Sequence, residues 1–598
     1  MFKLIQELFS LLTPLQRRRF FILQVLVVIM AVIEIIGIAS ILPFMALVGD
    51  MSLITQQIYL AEIYQMSGVN SESEFIFLLG AVVLIMLFIS ASVSMYTVWK
   101  LSMFANVVGV EISSTLYTYY LRQNWLFHTT ASSAQLTKKI ATETQRVTQG
   151  ILVPLMQMNA KAVLVLLLSV SLFAYDPKVA LIGLLTFSLA YTILYKIVRT
   201  LLHRNGTTIS EMNEQRFRLK NDGFGGIKDI LLLGRANDLI KRFNQSGDRL
   251  AFSQGTNIAL AHAPRYFMEL VAFGSMISLV LYLVVNHNGN LGIILPILSV
   301  YALAGFKLLP ALQQIYAGAA TIKGSVSAFE SIQHDLSDFF NQETKAPVQE
   351  KKYLPFKRDI LLENITFTYP GKTVSAINKL DMSIPVNSLI GLVGPSGAGK
   401  STLIDIILGL ITPQFGKIMV DETLVTPDNC RSWQNTIGFV AQDIFLSDGT
   451  IAENIAFGIH KSEINIDKVR ETLKLAQLTE LIDSLDKGIE TPVGERGIQL
   501  SGGQRQRIGI ARALYYDAEL LVFDEATSSL DGITENMIME SITNLTGQKT
   551  IVIIAHRLKT VQKCDQIFFM DQGKVIDYGS YEKLIETNEL FKKMASHA

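Results

Sequence analysis

Six stretches of this chain are long and apolar enough to cross a lipid bilayer, and no other feature limits its fold so strictly. A helix needs ~20 mostly apolar residues to span hydrocarbon, and within hydrocarbon only helices and closed barrels satisfy their own backbone groups. The stretches are residues 20–48, 75–99, 151–175, 179–198, 266–285 and 291–316. Composition agrees: 50% of residues are hydrophobic and 17% charged, against about 25% charged in soluble domains. Arg17, Arg18 and Arg19 precede the first stretch. That stretch is longer than a signal-peptide core and no small-residue cleavage site follows it, so it reads as a retained membrane helix.

Basic residues set the orientation. Residues 49–74, between the first two spans, contain no Lys or Arg, and neither do residues 286–290. The connection after the second span carries Lys100, Arg122, Lys138, Lys139 and Arg146. The one after the fourth is richer still, with Arg199, Arg204, Arg216, Arg218, Lys220, Lys228 and Arg235 among others. Positive charge stays inside, so both termini are expected in the cytoplasm, and the expected location is a multi-pass protein of a bacterial inner (plasma) membrane. Cys430 and Cys564 then face a reducing compartment, where a structural disulfide is not expected.

The two cytoplasmic connections run to about 50 and 65 residues, longer than structureless loops usually are. Helices that continue by about 25 residues would reach nearly 40 Å past the membrane, and short turning helices are expected at 124–132 and 222–233. Such stalks suit mechanical coupling to a soluble domain. On the outer side, residues 53–69 suggest a short amphipathic helix or a loop packed on the spans. A Lys-, Glu-, Gln- and Pro-containing linker, 341–358, divides the membrane domain (1–340) from a soluble domain (359–598). The expected fold class is thus an α-helical six-span membrane domain plus an α/β phosphate-loop ATPase domain.

Chemistry concentrates in the soluble part. Gly394-Pro395-Ser396-Gly397-Ala398-Gly399-Lys400-Ser401 fits the phosphate-loop pattern. Gly394, Gly397 and Gly399 let the backbone, with Ser396, curl its amides around phosphates at a helix N-terminus. Lys400 supplies a cation, Ser401 a hydroxyl for Mg²⁺, and Thr402 follows on the α-phosphate side. Leu520-Leu521-Val522-Phe523-Asp524-Glu525 is an apolar strand ending in two carboxylates. Asp524 is the expected Mg²⁺ ligand and Glu525 the base that polarises the attacking water. The bland alternative, an acidic strand cap, is disfavoured by the phosphate loop upstream.

Between these halves lies Leu500-Ser501-Gly502-Gly503-Gln504, which resembles the signature of ATP-binding cassette (ABC) ATPases. The resemblance covers 360–598, with its motifs in order. It implies that Tyr369 stacks on adenine and that Gln442 senses Mg²⁺ and the membrane domain. It makes His556 the switch histidine on the γ-phosphate and carries Asp531, in Ser528-Ser529-Leu530-Asp531, across a dimer interface. It also implies ATP and Mg²⁺ as cofactors. In the family, Ser501, Gly502, Gly503 and Gln504 act on the ATP held by a partner's phosphate loop, and two cassettes sandwich two ATPs head to tail. With one cassette and six spans, the chain resembles a type I ABC exporter half-transporter, expected to pair with a second copy of itself; a heterodimer is the alternative. Gly494-Glu495-Arg496-Gly497 resembles an exporter loop, and the family implies alternating access.

Cargo is less legible. Glu34 lies in the middle of the first span, where an acidic side chain costs roughly 2.5–3.5 kcal/mol to insert. It is expected to face a cavity and contact a polar cargo group, or to pair with another charge and fix helix packing; Glu269 and Lys307 lie in the last two spans. Glu34-Ile35-Ile36-Gly37 through Pro43-Phe44 and Gly226–Arg235 resemble an exporter subgroup that includes flippases of lipid-linked oligosaccharides. An amphipathic or lipid-linked cargo moved out of the cytoplasmic leaflet is therefore expected. Alternatives are a multidrug or peptide exporter, an ATP-gated channel or regulator, and an ABC ATPase without transport, which six spans oppose. Net charge is zero, and no nucleic-acid partner is expected.

Overall fold

A computed structural model of the chain describes residues 2–10, 12–49, 64–69, 71–175, 177–286, 291–342, 352–525, 532–555 and 558–596. The chain forms two compact units, Met1–Gln123 with Thr130–Lys345, and Asn124–Thr129 with Ala346–Ala598.

The first unit is helical. A short helix, α1 (Phe2–Ser10), precedes α2 (Pro14–Ala39). Thr13 caps α2 in a reciprocal box with Gln16, and Pro14 occupies the first turn, where its missing N–H is no loss. The expected first span, 20–48, is two helices, because the chain turns at Ser40 before α3 (Ile41–Gly49). Pro43 has no N–H to continue the α2 ladder, and Ser40 closes α2 by donating its N–H to the Ile36 carbonyl and its hydroxyl to that of Gly37.

Next, α4 (Glu72–Leu121) runs for 50 residues. Phe77, Leu84, Phe88 and Met95 form an exposed apolar stripe along it, as lipid contact requires. The next span is reached through α5 (Ser133–Lys138), a π-helical turn at Lys139–Glu143, α6 (Thr144–Val147), a second π turn at Thr148–Leu152, and α7 (Val153–Tyr175). There follow α8 (Pro177–Gly225), α9 (Ile227–Leu232), α10 (Ala236–His262), α11 (Pro264–Asn286) and α12 (Leu291–Gln342).

Among the described residues, five helical stretches meet the length and composition needed to cross a membrane. The sixth expected span, 291–316, is the first half of the 52-residue α12. Residues 53–63 of the candidate outer segment lie outside the described residues; of the remainder, Tyr64–Met66 are helical and Ser67–Gly68 turn.

In the second unit a six-stranded sheet runs in the order β10-β9-β3-β8-β7-β6, with β3 (Leu389–Val393), β6 (Ile437–Val440), β7 (Leu520–Asp524), β8 (Thr550–Ile554), β9 (Gln566–Asp571) and β10 (Lys574–Gly579). Only β9–β10 is antiparallel. Strand residues alternate between faces, and each face has its own core. Leu389, Phe523, Ile553 and Phe569 pack on one side; Ile390, Val522, Ile554 and Met570 pack on the other. Because both faces are covered, β3, β7 and β8 read as continuous apolar runs rather than alternating ones. The second face also carries an antiparallel sheet, β2-β1-β4-β5, built on β1 (Asp359–Phe367), β2 (Ile377–Pro385), β4 (Phe415–Val420) and β5 (Thr423–Leu424).

Asn124–Thr129, expected as part of the 1–340 domain, packs with the second unit. It includes most of a short helix, Trp125–Thr130.

Candidate nucleotide site and membrane charges

The parallel strands put the nucleotide motifs at one end of one sheet. Leu392 of β3 is level with Ile554 of β8, and Ile554 with Asp524 of β7. The loop leaving β3 therefore starts beside the two carboxylates leaving β7, at the carboxyl ends of the strands where α/β proteins bind ligands. The loop feeds the helix Lys400–Ile407.

Glycine is required at two loop positions. A Cβ on Gly394 would lie 2.1 Å from the Met570 carbonyl oxygen. Gly399 has φ +99° and would place a Cβ 2.6 Å from the Ala376 oxygen. Lys400 is buried, and its ammonium donates to the carbonyls of Gly394 (2.7 Å) and Pro395 (3.0 Å). Burial lowers its pKa, against the pull of Glu525 and Asp524. Ser401 is exposed in the first turn. The Tyr369 hydroxyl lies 3.2 Å from that of Thr402, so the aromatic expected to carry adenine stands against the phosphate-loop helix.

Gln442 and Glu525 meet: the glutamine amide donates to the carboxylate at 2.8 Å. Glu525 has φ +48°, an unfavourable backbone for a non-glycine residue. It is held there as its N–H bonds to the Ile554 carbonyl. Ser401, Asp524 and Gln442 form a hard oxygen donor set suited to Mg²⁺ with phosphate oxygens.

Ser501 is exposed and caps the helix Gly502–Tyr515. Its hydroxyl accepts from the Gln504 N–H, and the Gln504 side chain accepts from the Ser501 N–H at 2.8 Å. The signature is thus a capped helix start with Ser501 exposed. His556 and Asp531 lie outside the described residues.

In the membrane unit, Glu34 is paired. Lys307 donates to its Oε1 at 2.8 Å, and the Glu34 side chain is 9% exposed against 39% for Lys307. Oε2 is buried without a hydrogen-bond partner. Of the two readings of Glu34, the geometry favours helix packing. Glu269 pairs with Arg265 one turn away. A cavity of about 270 Å³ is lined by Tyr191, His262, Arg265, Gln313, Gln314 and Tyr316, among others. The Tyr191 hydroxyl is buried without a hydrogen-bond partner. Sequence reasoning missed this cavity, because its polar residues come from four separate helices and form no motif.

It also missed Trp125, whose indole N–H donates to Asp405 at 3.3 Å, while Leu126 packs on the second core. Asp405 lies on the phosphate-loop helix, and its carboxyl is pushed up to about 6, chiefly by burial and further by Asp524, against the Trp125 bond. A tryptophan in a predicted turning segment was the only available signal.

Comparison with known proteins agrees with this construction. The profile described as "ABC transporter" matches residues 377–528, and that described as "ABC transporter transmembrane region" matches 39–306. An "ATP-dependent lipid A-core flippase" of Cupriavidus pinatubonensis is 28% identical, over 82% of this chain and 83% of that one. "Heterocyst differentiation ATP-binding protein HepA" of Nostoc is 31% identical, over 76% of this chain and 73% of the other. A solved structure, that of a bacterial Atm1-family ABC exporter with ATP bound, superposes with a TM-score of 0.79 at 21% identity, covering 97% and 98% of the two chains.

Proposed function

The chain belongs to the ABC transporter family, and we propose that it is an ATP-driven flippase, working as a homodimer, that moves an amphipathic lipid, foremost a lipid-linked oligosaccharide, out of the cytoplasmic leaflet of a bacterial inner membrane. The observation that carries the motor half is the meeting of the phosphate loop, Gln442 and Glu525 at one sheet end. The cargo half is supported by relatives named as lipid A-core flippases and by a polar cavity in a membrane helix bundle.

Each residue has a task in this reading. The loop amides and Lys400 hold the phosphates, and Tyr369 supports the base. Ser401 and Asp524, with Gln442, would hold Mg²⁺, directly or through water, and the ion would supply neutralisation of phosphate charge. Glu525, oriented by Gln442, accepts the proton of the attacking water. His556 would contact the γ-phosphate, and Asp531 would reach across to the partner cassette. Ser501 is exposed at the start of its helix, followed by half-buried Gly502 and Gly503; in this reading its hydroxyl and their amides complete a second copy's site. Phe224, Leu231, Leu232 and Leu233, around α9, are likewise largely exposed; a second copy's cassette would cover them. ATP binding then draws the cassettes together and turns the cavity outward, with both termini in the cytoplasm.

The test is translocation. Purified protein in proteoliposomes carrying a fluorescent lipid-linked oligosaccharide is compared with Glu525→Gln. ATP-driven loss of leaflet asymmetry with the intact chain alone supports the reading. Hydrolysis without translocation redirects the cargo toward drugs, peptides or other lipids. Flux that persists in the variant with ATP bound indicates a gated channel.

A further inference from the structure

The third span enters the membrane through two π-helical turns, Lys139–Glu143 and Thr148–Leu152, and a charge cluster is built around the first. Glu143 is fully buried and Lys138 nearly so. Arg146 donates to Glu143 Oε2 (2.8 Å), to the Ser210 hydroxyl (2.6 Å), to the Gly206 carbonyl (3.3 Å) and to the Ser327 hydroxyl (3.4 Å). Lys138 lies 3.6 Å from Glu143 Oε1 and 3.2 Å from Glu214. One cluster thus joins the third span to α8, through Gly206, Ser210 and Glu214, and to α12, through Ser327.

The backbones around it are pressed together. A Cβ on Gly206 would stand 2.4 Å from the Gly324 carbonyl oxygen, and one on Gly150 2.2 Å from the Ser325 hydroxyl. A π turn widens the helix and leaves carbonyls short of partners, and such turns concentrate at functional sites. Here side chains fill the gap. The Thr144 hydroxyl donates to the Lys139 carbonyl at 3.0 Å, and the Ser113 hydroxyl of α4 to the Ile140 carbonyl at 3.2 Å.

We propose that this π turn and its Glu143–Arg146 cluster form the cytoplasmic lock of the transport cycle, closed in this structure. Relaxation of the π turn to an α turn shifts the register by one residue, a rotation of roughly 100° and a rise of about 1.5 Å. That motion turns Lys138 away from Glu214 and draws the Glu143–Arg146 pair off Ser210 and Ser327, which frees α8 and α12 to part toward the cytoplasm. A buried ion cluster suits this role because its Coulombic gain and desolvation penalty nearly cancel. Closed and hydrated open arrangements then lie close in free energy, and cassette closure decides between them. Glu143 and Arg146 act here as positioning residues and touch neither ATP nor cargo.

This lock rests on the alternating-access reading, and its test does not use cargo. Spin labels at Glu211→Cys on α8 and Glu330→Cys on α12, with Cys430 and Cys564 replaced by alanine, report the α8–α12 distance in the full chain in nanodiscs. Excess unlabelled chain suppresses distances between copies. In a Glu525→Gln background with ATP, one short distance is expected; without nucleotide, a longer population appears. Glu143→Gln and Thr144→Val should each raise the long-to-short ratio by about tenfold or more. Thr144→Ser, which keeps the hydroxyl, should restore it, and Arg218→Gln on the exposed side of Glu214 should leave it unchanged. Distances that ignore nucleotide, or that ignore both Glu143→Gln and Thr144→Val, overturn the lock. A failed flippase assay with nucleotide-dependent distances removes the cargo and leaves the lock standing.

Discussion

Removing the two partners of the Glu34–Lys307 pair should have unequal consequences, and the inequality separates packing from cargo contact. Glu34 is the buried member at 9% side-chain exposure, whereas Lys307, at 39%, is long enough to carry its charge toward water. Lys307→Met strands a carboxylate whose second oxygen already lacks a hydrogen-bond partner. Breaking a buried pair this way costs about 3–5 kcal/mol. Glu34→Gln leaves an amide that still accepts from the ammonium, so its cost is about 1 kcal/mol, that of a weakened hydrogen bond. The double variant Glu34→Gln/Lys307→Met removes both charges and should recover most of the loss. The assay is thermal unfolding in nanodiscs, paired with ATP-driven translocation. Equal losses for the two single variants, or additive losses in the double variant, refute the argument from burial. Glu34→Gln that unfolds normally but does not transport would restore the cargo role.

Further expectations concern the cassette. Glu525→Gln should slow phosphate release by about 10²–10⁴-fold, the usual share of a general base, while nucleotide binding, read by fluorescence titration, persists. Gly399→Ala should weaken ATP binding most, because the new methyl meets the Ala376 carbonyl at a left-handed position; isothermal titration against the wild type checks this. The raised Asp405 pKa gives a pH signature. Between about 3.8, the ordinary value, and about 6 the folded state holds a proton that the unfolded chain has released. This group's contribution to stability is therefore complete below that window and is lost as pH rises through 6. Asp405→Asn should flatten that decline in the cassette's melting transition; an unchanged pH profile contradicts it.

The sequence shows the architecture because both units announce themselves through strong periodicities and contiguous motifs. Apolar runs mark the spans, β3, β7 and β8 are unbroken apolar stretches, and the phosphate loop and signature are each local in sequence. What stays hidden depends on tertiary pairing. The break at Ser40 sits inside one hydrophobic run, so hydropathy merges α2 with α3. Lys307 pairs with Glu34 across 273 positions, and no local pattern relates them. Lys138, Lys139 and Arg146 read as charges that orient the membrane. Their partners Asp335, Glu214 and Ser210 become visible only when the helices are side by side. A π turn leaves no mark in apolar spacing, because one extra residue is lost within the tolerance of a helical pattern. Asn124–Thr129 was legible as a turning segment, but its packing on the second core through Leu126 was not.

In the proposed dimer two copies build each nucleotide site, the phosphate loop of one facing Ser501 of the other. Two tagged forms, Lys400→Ala and Ser501→Ala, are co-expressed, and the mixed dimer is isolated through both tags. A head-to-tail arrangement gathers both lesions into one site and leaves the second intact, so the mixed dimer should hydrolyse ATP well above either parent dimer. Hydrolysis no higher than that of the parents would contradict the shared site.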